Sequence, residues 1–364
     1  MRQQRDISDL LNLPRFIVCG ANSGGDQVHD WLRDHGKEVL AFADTNASLQ
    51  GSKRCGLPVL HPAEAVTRGD PATGFAIGTI RQREIAELLT KDFAIPAARV
   101  FPFVNPMFAT HFGAGALRNF LRERDSIRSA LADNNSKAYF DRVSSFYTTM
   151  DPTVLWPNPS CRSHYGYAAE GAEPGPGAVI VDCGAFTGDS LPYFLEATGR
   201  DCRVYAIEAF TSNYRRLIET ISTLDAAKHI TPMHMAVGAE PGEVSITGDT
   251  DYADGGAGIA ASGRQNCERV RCETLDDVFG DGSKGRVRYI KIDVEGADLD
   301  VLKGGARLLR EARPVVAVAA YHTPDHLWQI PRFLLDTLGP CRLYAGHDPA
   351  WVFHLHFIAV PEPV

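Results

Sequence analysis

The sequence predicts an α/β protein made of two parallel-sheet units with a helical stretch between them. Three observations carry this. Short apolar runs alternate with helical patterns over residues 15–104, and again from Ala178 through Asp293, as parallel sheets require. In each unit the first apolar run empties into a glycine-bearing turn, Gly20–Gly25 in one and Gly184–Gly188 in the other. Between the units, residues 105–150 show only helical spacing, and the Pro/Gly-rich stretch Gly171–Gly177 reads as a linker.

In the first unit, strand Arg15–Cys19 leads through the glycine turn into a helix ending near His35. A second strand, Glu38–Phe42, is followed by Asp44. Phe75–Ile77, a helix over Gln82–Thr90 and Val100–Phe103 continue the alternation. The Gly-rich turn, the Asp after the second strand and Gly51 followed by Pro58-Val59-Leu60 resemble the N-terminal nucleotide-sugar-binding domain of bacterial sugar acyltransferases. A degenerate unit kept for packing or partner contact is the competing reading. Leu117, Phe120, Leu121, Ile127 and Leu131 then fall at helical spacing, as do Tyr139/Phe140, Val143 and Phe146/Tyr147, stripes that suit core packing. The predicted division is residues 1–104, a connector over 105–175, and 176–364.

The second unit opens with strand Val179–Val181, ending in Asp182, and a turn before a new helix. About 25 residues on, strand Val204–Ile207 ends in Glu208. His234–Gly238 closes a third strand-helix unit, Tyr289–Asp293 forms a fourth strand, and an amphipathic helix runs through Leu299, Leu302, Leu308 and Leu309. Pro314–Tyr321 is a fifth strand. Thr323-Pro324 suits a helix start, Pro331 is expected to break that helix, and Gly339-Pro340 to end it. Arg342–Ala345 and Val352–Val360 finish as strands.

Glycines after the first strand let a backbone approach a ligand, and the helix start offers unpaired N–H groups. An acidic group at the second strand tip suits two ribose hydroxyls. Together these describe a nucleoside-cofactor site. The spacing differs from the Gly-x-Gly-x-x-Gly dinucleotide pattern, which counts against NAD.

Three ordered segments, Asp182–Asp189, Thr274–Asp277, and Lys291–Asp298 with Leu302–Ala306, resemble the FkbM family of S-adenosylmethionine-dependent methyltransferases. Asp298 stands where the family usually has Glu, a change expected to be mild. The likeness covers roughly residues 176–360 and implies a class I methyltransferase-like seven-stranded Rossmann sheet closed by a hairpin. It implies that Asp182, Gly184, Ala185, Thr187, Gly188, Asp189, Glu208, Ala236 and Asp293 line the S-adenosylmethionine site. Asp293, Glu295 and His322 are the candidate catalytic residues. The two carboxylates suit a general base, acceptors for the cofactor ammonium or cation ligands, and His322 suits a neutral base or a structural role beside Thr323. Lys291 is read as structural or ion-paired.

The implied reaction is O-methylation of a sugar, glycan or glycosylated metabolite, with a nucleotide-linked sugar as one acceptor class. No metal ligand is assigned: Cys267 and Cys272 lack a second pair, His322 and His326 lack a third ligand, and the need for a divalent metal is left open. His354 and His356 alternate in the last strand without catalytic duty. The Gly- and Asp-rich stretch Asp249–Arg264 reads either as an acceptor-covering loop or as a surface segment.

The 364 residues carry a formal net charge of −8 and no dense Lys/Arg run, since Arg118–Arg128 is interleaved with Glu123 and Asp125. That speaks against nucleic acid. The N-terminus lacks a signal-peptide core, and no apolar run approaches a membrane span, so a cytoplasmic chain is expected, with homo-oligomers left open. A binding-only sensor or scaffold and an NAD-dependent sugar oxidoreductase are the alternatives. The second has no Tyr-x-x-x-Lys pair beside its glycine turn.

Overall fold

Residues 12–79, 81–102, 114–149, 152–155, 171–247, 258–259, 267–347 and 355–363 are described by a computed structural model. The chain divides into two compact units. One takes in the chain through Arg118 with Asp141–Pro157 and Ala350–Phe353, the other Asn119–Phe140, Asn158–Pro349 and His354–Val364.

In the first unit, β1 (Arg15–Cys19), β2 (Glu38–Ala43), β3 (Lys53–Arg54), β4 (Leu57–Leu60), β5 (Thr73–Ile77) and β6 (Val100–Pro102) form one sheet in the order β3-β4-β2-β1-β5-β6. Every neighbouring pair is parallel except β3 with β4. Both faces are covered, which explains strands that read as unbroken apolar runs. Phe16 and Val18 pack with Val28 and Leu32 on one side, and Ile17 with Ala65 and Leu89 on the other. The glycine turn serves close packing: a Cβ on Gly25 would run into the Gly20 carbonyl oxygen, and one on Gly78 into the Gly25 backbone. Asp44 holds the turn, its carboxylate accepting from the Ala21 N–H at 2.7 Å and the Asn46 N–H at 2.8 Å. The expected helix over 82–90 is α-helical only over Gln82–Glu87 and continues as a wider turn, Leu88–Asp92.

The second unit holds β7 (Ala178–Cys183), β8 (Cys202–Glu208), β9 (Ile230–His234), β10 (Ala236–Val237), β11 (Gly242–Thr247), β12 (Gly258–Ile259), β13 (Cys267–Glu273), β14 (Val287–Ile292), β15 (Val315–Ala319), β16 (Cys341–His347) and β17 (Leu355–Pro361). Seven of them form the sheet β16-β17-β15-β14-β7-β8-β9. Strands β15 through β9 run parallel, and β17 inserts antiparallel between β15 and β16. The seven-stranded sheet with a closing hairpin is therefore as expected. Its core includes Ile180, Phe194, Val204, Leu217 and Tyr289. Strand order reverses between β7 and β14, and ligands of such sheets bind in the crevice opened there at the strand C-termini. Every candidate residue named from the sequence in β7, β8 and β14, or in the loops that follow them, lies along that edge.

Three expectations need correction. A separate sheet, β10-β13-β11-β12, flanks the main one and was not foreseen. The amphipathic helix through Leu309 is two helices, Asp298–Gly304 and Ala306–Ala312, meeting at Gly305. A Cβ on Gly304 would overlap the Gly238 carbonyl oxygen, so the close approach needs a glycine there. Pro331 does not end its helix, which runs from His326 to Leu338 with Asp325, not Thr323, at the cap. The ring forfeits one backbone bond, but Leu327, Ile330, Leu334 and Leu338 bury the inner face around it. Gly339, at φ 67°, ends the helix as expected. Among the described residues no helix is long and apolar enough to cross a membrane.

Candidate active site

Three strand tips build the site. At the end of β7, Asp182 has no exposed surface, and its Oδ1 accepts from the Lys291 ammonium at 3.0 Å. Lys291 also donates to the Gly184 carbonyl at 2.8 Å. Burial pushes the Asp182 carboxyl up to about 6, a shift that Lys291 opposes. Asp182 anchors Lys291, and through it the glycine loop. Lys291 is ion-paired, as the sequence suggested.

The loop bends through left-handed backbone at Gly184 (φ 78°), Phe186 (φ 48°) and Gly188 (φ 91°). Only glycine fits at position 184, because a Cβ there would overlap the Asp293 carbonyl oxygen. The Gly184 and Ala185 N–H groups donate to the Ile207 carbonyl at 3.0 and 2.9 Å, tying the loop to β8. Thr187 is half-buried and Asp189 exposed. Phe186, which the sequence reading passed over, is the residue that links the loop to Glu208.

Glu208 closes β8, 7% exposed. Its Oε2 accepts from the Phe186 N–H and its Oε1 from the Phe210 N–H, each at 2.9 Å. Burial pushes its carboxyl up to about 7, and these two N–H groups pull the other way. Each carboxylate oxygen keeps a lone pair after one hydrogen bond, so Glu208 can still accept from a diol. A nearly buried carboxylate at a strand tip, beside a loop whose first glycine has no room for a side chain, fits a nucleoside cofactor. Ala236, in β10, is half-buried.

At the end of β14 the Asp293 N–H donates to the Cys183 carbonyl at 2.9 Å, which joins this tip to β7. The turn after it holds Glu295 at φ 53° and Gly296 at φ 107°. A non-glycine residue in that conformation costs of the order of 1–3 kcal/mol and persists where its surroundings enforce it. Here the enforcing group is Asp298, which is fully buried. It accepts from the Val294 N–H at 3.0 Å, the Gly296 N–H at 3.1 Å and His322 Nδ1 at 2.9 Å. Burial would raise the Asp298 carboxyl, but His322 and the N–H groups hold it below the ordinary range. The sequence reading treated Asp298 as a mild substitution and missed this role.

His322 follows β15, with its Nε2 3.4 Å from Asp293 Oδ1 and 3.4 Å from Glu295 Oε2. Tyr321 donates to Asp293 Oδ1 at 3.4 Å. Burial alone lowers the imidazole, yet Asp298, Glu295 and Asp293 outweigh it and push His322 up to about 10. The three carboxylates around it thus favour the protonated ring. Burial and Asp293 push the Glu295 carboxyl up, against the pull of His322. His326 is buried with Nδ1 3.7 Å from Asp298 Oδ2, too far for a hydrogen bond. The structure therefore brings Asp293, Glu295 and His322 together, while Asp182 is buried against Lys291. Asp249–Arg264 lies outside the described residues apart from Gly258–Ile259, and so does His354.

The second unit resembles known proteins in sequence pattern and in fold. Residues 182–347 match the family model for the methyltransferase FkbM domain. Methyltransferase FkbM from Methylobacillus flagellatus KT superposes with a TM-score of 0.73 at 18% identity, covering 97% of this chain and 93% of that one. Precorrin-6y C5,15-methyltransferase from Geobacter metallireducens GS-15 matches 52% of this chain and 82% of that one, at 15% identity and a TM-score of 0.31. Aeropyrum pernix fibrillarin, in complex with S-adenosyl-L-methionine, matches 54% and 71%, at 15% identity and a TM-score of 0.32. No curated protein matches the chain. Residues 182–347 thus carry an FkbM methyltransferase domain, and the fold is shared with a solved FkbM methyltransferase along nearly the whole chain.

Proposed function

We propose that this protein is an S-adenosylmethionine-dependent O-methyltransferase whose acceptor is a hydroxyl of a sugar, glycan or glycosylated metabolite. The observation that carries the reading is the convergence of Glu208, the Gly184–Gly188 loop and the Asp293–Glu295–His322 cluster at one sheet edge. When bound, S-adenosylmethionine supplies a methyl group on a sulfonium that is already a good leaving group. The protein is left to hold the reactants in line and to take the hydroxyl proton.

Glu208 accepts from the ribose hydroxyls, and the loop backbone between Gly184 and Asp189 follows the amino-acid end. Asp293 stands where both reactants meet, with Tyr321 fixing one of its oxygens. The carboxylates of Asp293 and Glu295 are the groups on the acceptor side able to take its hydroxyl proton. His322 orients both carboxylates. An abundance of hydroxyls on the acceptor suits a site with two carboxylates side by side.

Incubating the protein with S-adenosylmethionine labelled in the methyl group, and with a panel of free and nucleotide-linked sugars, tests the reading. Label transferred to a hydroxyl oxygen is the expected product. Transfer to nitrogen or carbon acceptors only would overturn it.

A further inference from the structure

We infer that Asp293, Glu295 and His322 form a binding site for one divalent cation of the manganese type, a conclusion that rests on the O-methyltransferase reading and names what its acceptor side holds. One ligand atom from each residue lies within 4.8 Å of the other two. Donors on neighbouring corners of one ion, each about 2.0–2.2 Å from it, stand about 2.8–3.6 Å apart. The imidazole nitrogen is 3.4 Å from an oxygen of each carboxylate, within that range.

A second observation is independent of those spacings. The His322 side chain is 8% exposed, and its Nε2 is buried with no hydrogen-bond partner among the described residues. A buried polar atom left unsatisfied is costly, so it calls for a ligand. It sits between two carboxylates without lining up on either. The other ring nitrogen, Nδ1, is held by the buried Asp298 carboxylate at 2.9 Å. A carboxylate behind an imidazole that turns its free nitrogen toward further oxygens is the usual support of a metal-binding histidine. Tyr321, donating to Asp293, supports a second ligand in the same way.

Two carboxylates and one imidazole, with no thiolate, suit Mn²⁺, Fe²⁺ or Zn²⁺ better than Ca²⁺. Three protein ligands leave corners open for oxygens of the acceptor. Adjacent hydroxyls of a sugar are the chemical class that fills two such corners.

Metal-stripped full-length protein titrated with Mn²⁺, and followed by electron paramagnetic resonance, tests the site. One Mn²⁺ per chain is expected. Glu295→Gln and His322→Gln should each weaken binding at least 10-fold, and Asp298→Asn about 10–100-fold. Thermal melting of each variant and calorimetric titration with S-adenosylhomocysteine report whether the fold and the cofactor edge survive the change. Absence of Mn²⁺ uptake by the wild-type protein, or uptake equal in wild type and in variants that melt normally, overturns the inference. Loss of S-adenosylhomocysteine binding by the wild-type protein instead strikes the O-methyltransferase reading and leaves the Mn²⁺ result standing, so the two failures are told apart.

Discussion

The backbone of Gly184 lies so close to the carbonyl of Asp293 that a single added carbon would overlap its oxygen. The loop that would carry the cofactor and the strand tip that would face the acceptor are thereby fixed to each other. Gly184→Ala asks for both a left-handed conformation and the room that the Asp293 carbonyl occupies. The loss should exceed about 2 kcal/mol, since the conformation alone costs about 1–2 kcal/mol. Urea unfolding measures it, and a variant as stable as wild type would show that the two segments are free to part.

Lys291 and Asp182 are an ion pair with almost no solvent contact. Breaking a buried pair leaves one charge uncompensated and costs about 3–5 kcal/mol, whereas replacing both members by apolar side chains is often nearly neutral. Lys291→Met should therefore destabilise strongly, and Asp182→Val/Lys291→Met should recover much of the loss. A double-mutant cycle from chemical denaturation gives the coupling. Additive effects would mean that the pair does not hold the loop.

Glu208 sets a pH dependence whose sign follows from burial. Its folded-state value of about 7 lies above the ordinary 4.5, so the folded protein keeps this proton after the unfolded chain has released it. Stability from this group is complete below about pH 4.5, declines as pH rises, and is lost above about pH 7. The shift corresponds to about 3 kcal/mol. Unfolding free energies of wild type and Glu208→Gln, compared from pH 5 to 8 without cofactor, should diverge in that sense. Parallel profiles would contradict the burial argument.

Asp298 receives two backbone N–H groups from the turn that carries Glu295. Asparagine can accept one of them well and turns an NH₂ toward the other. Hydrogen exchange at Val294 and Gly296 should quicken at least 10-fold in Asp298→Asn, with the amides of β8 unchanged. Uniform quickening across the sheet would point to general destabilisation instead.

The sheet edge was legible because its signals are local. Glycine after an apolar run, an acid at each strand tip and a buried-strand composition placed Asp182, Gly184, Glu208 and Asp293 along one edge. What escaped depends on distant partners. Asp298 acts through three hydrogen bonds, one of them to a histidine 24 residues away, and nothing near Asp298 in the sequence announces that. The close approach of Gly304 to Gly238, beside the break at Gly305, is visible only in three dimensions. Periodicity joined the two helices because the apolar spacing carries across the break. Pro331 shows the opposite failure, a local rule overruled by the buried face around it. The surroundings of His322 were hidden for the same reason: its three carboxylate neighbours converge from the turn after β14 and from the start of the helix that follows.

Isothermal titration of the full-length protein with S-adenosylhomocysteine bears most directly on the whole reading. One molecule bound per chain is expected, with affinity falling at least 100-fold in a Glu208→Ala variant that still melts cooperatively. A wild-type protein that takes up none, or a variant that binds as tightly as wild type, would contradict it.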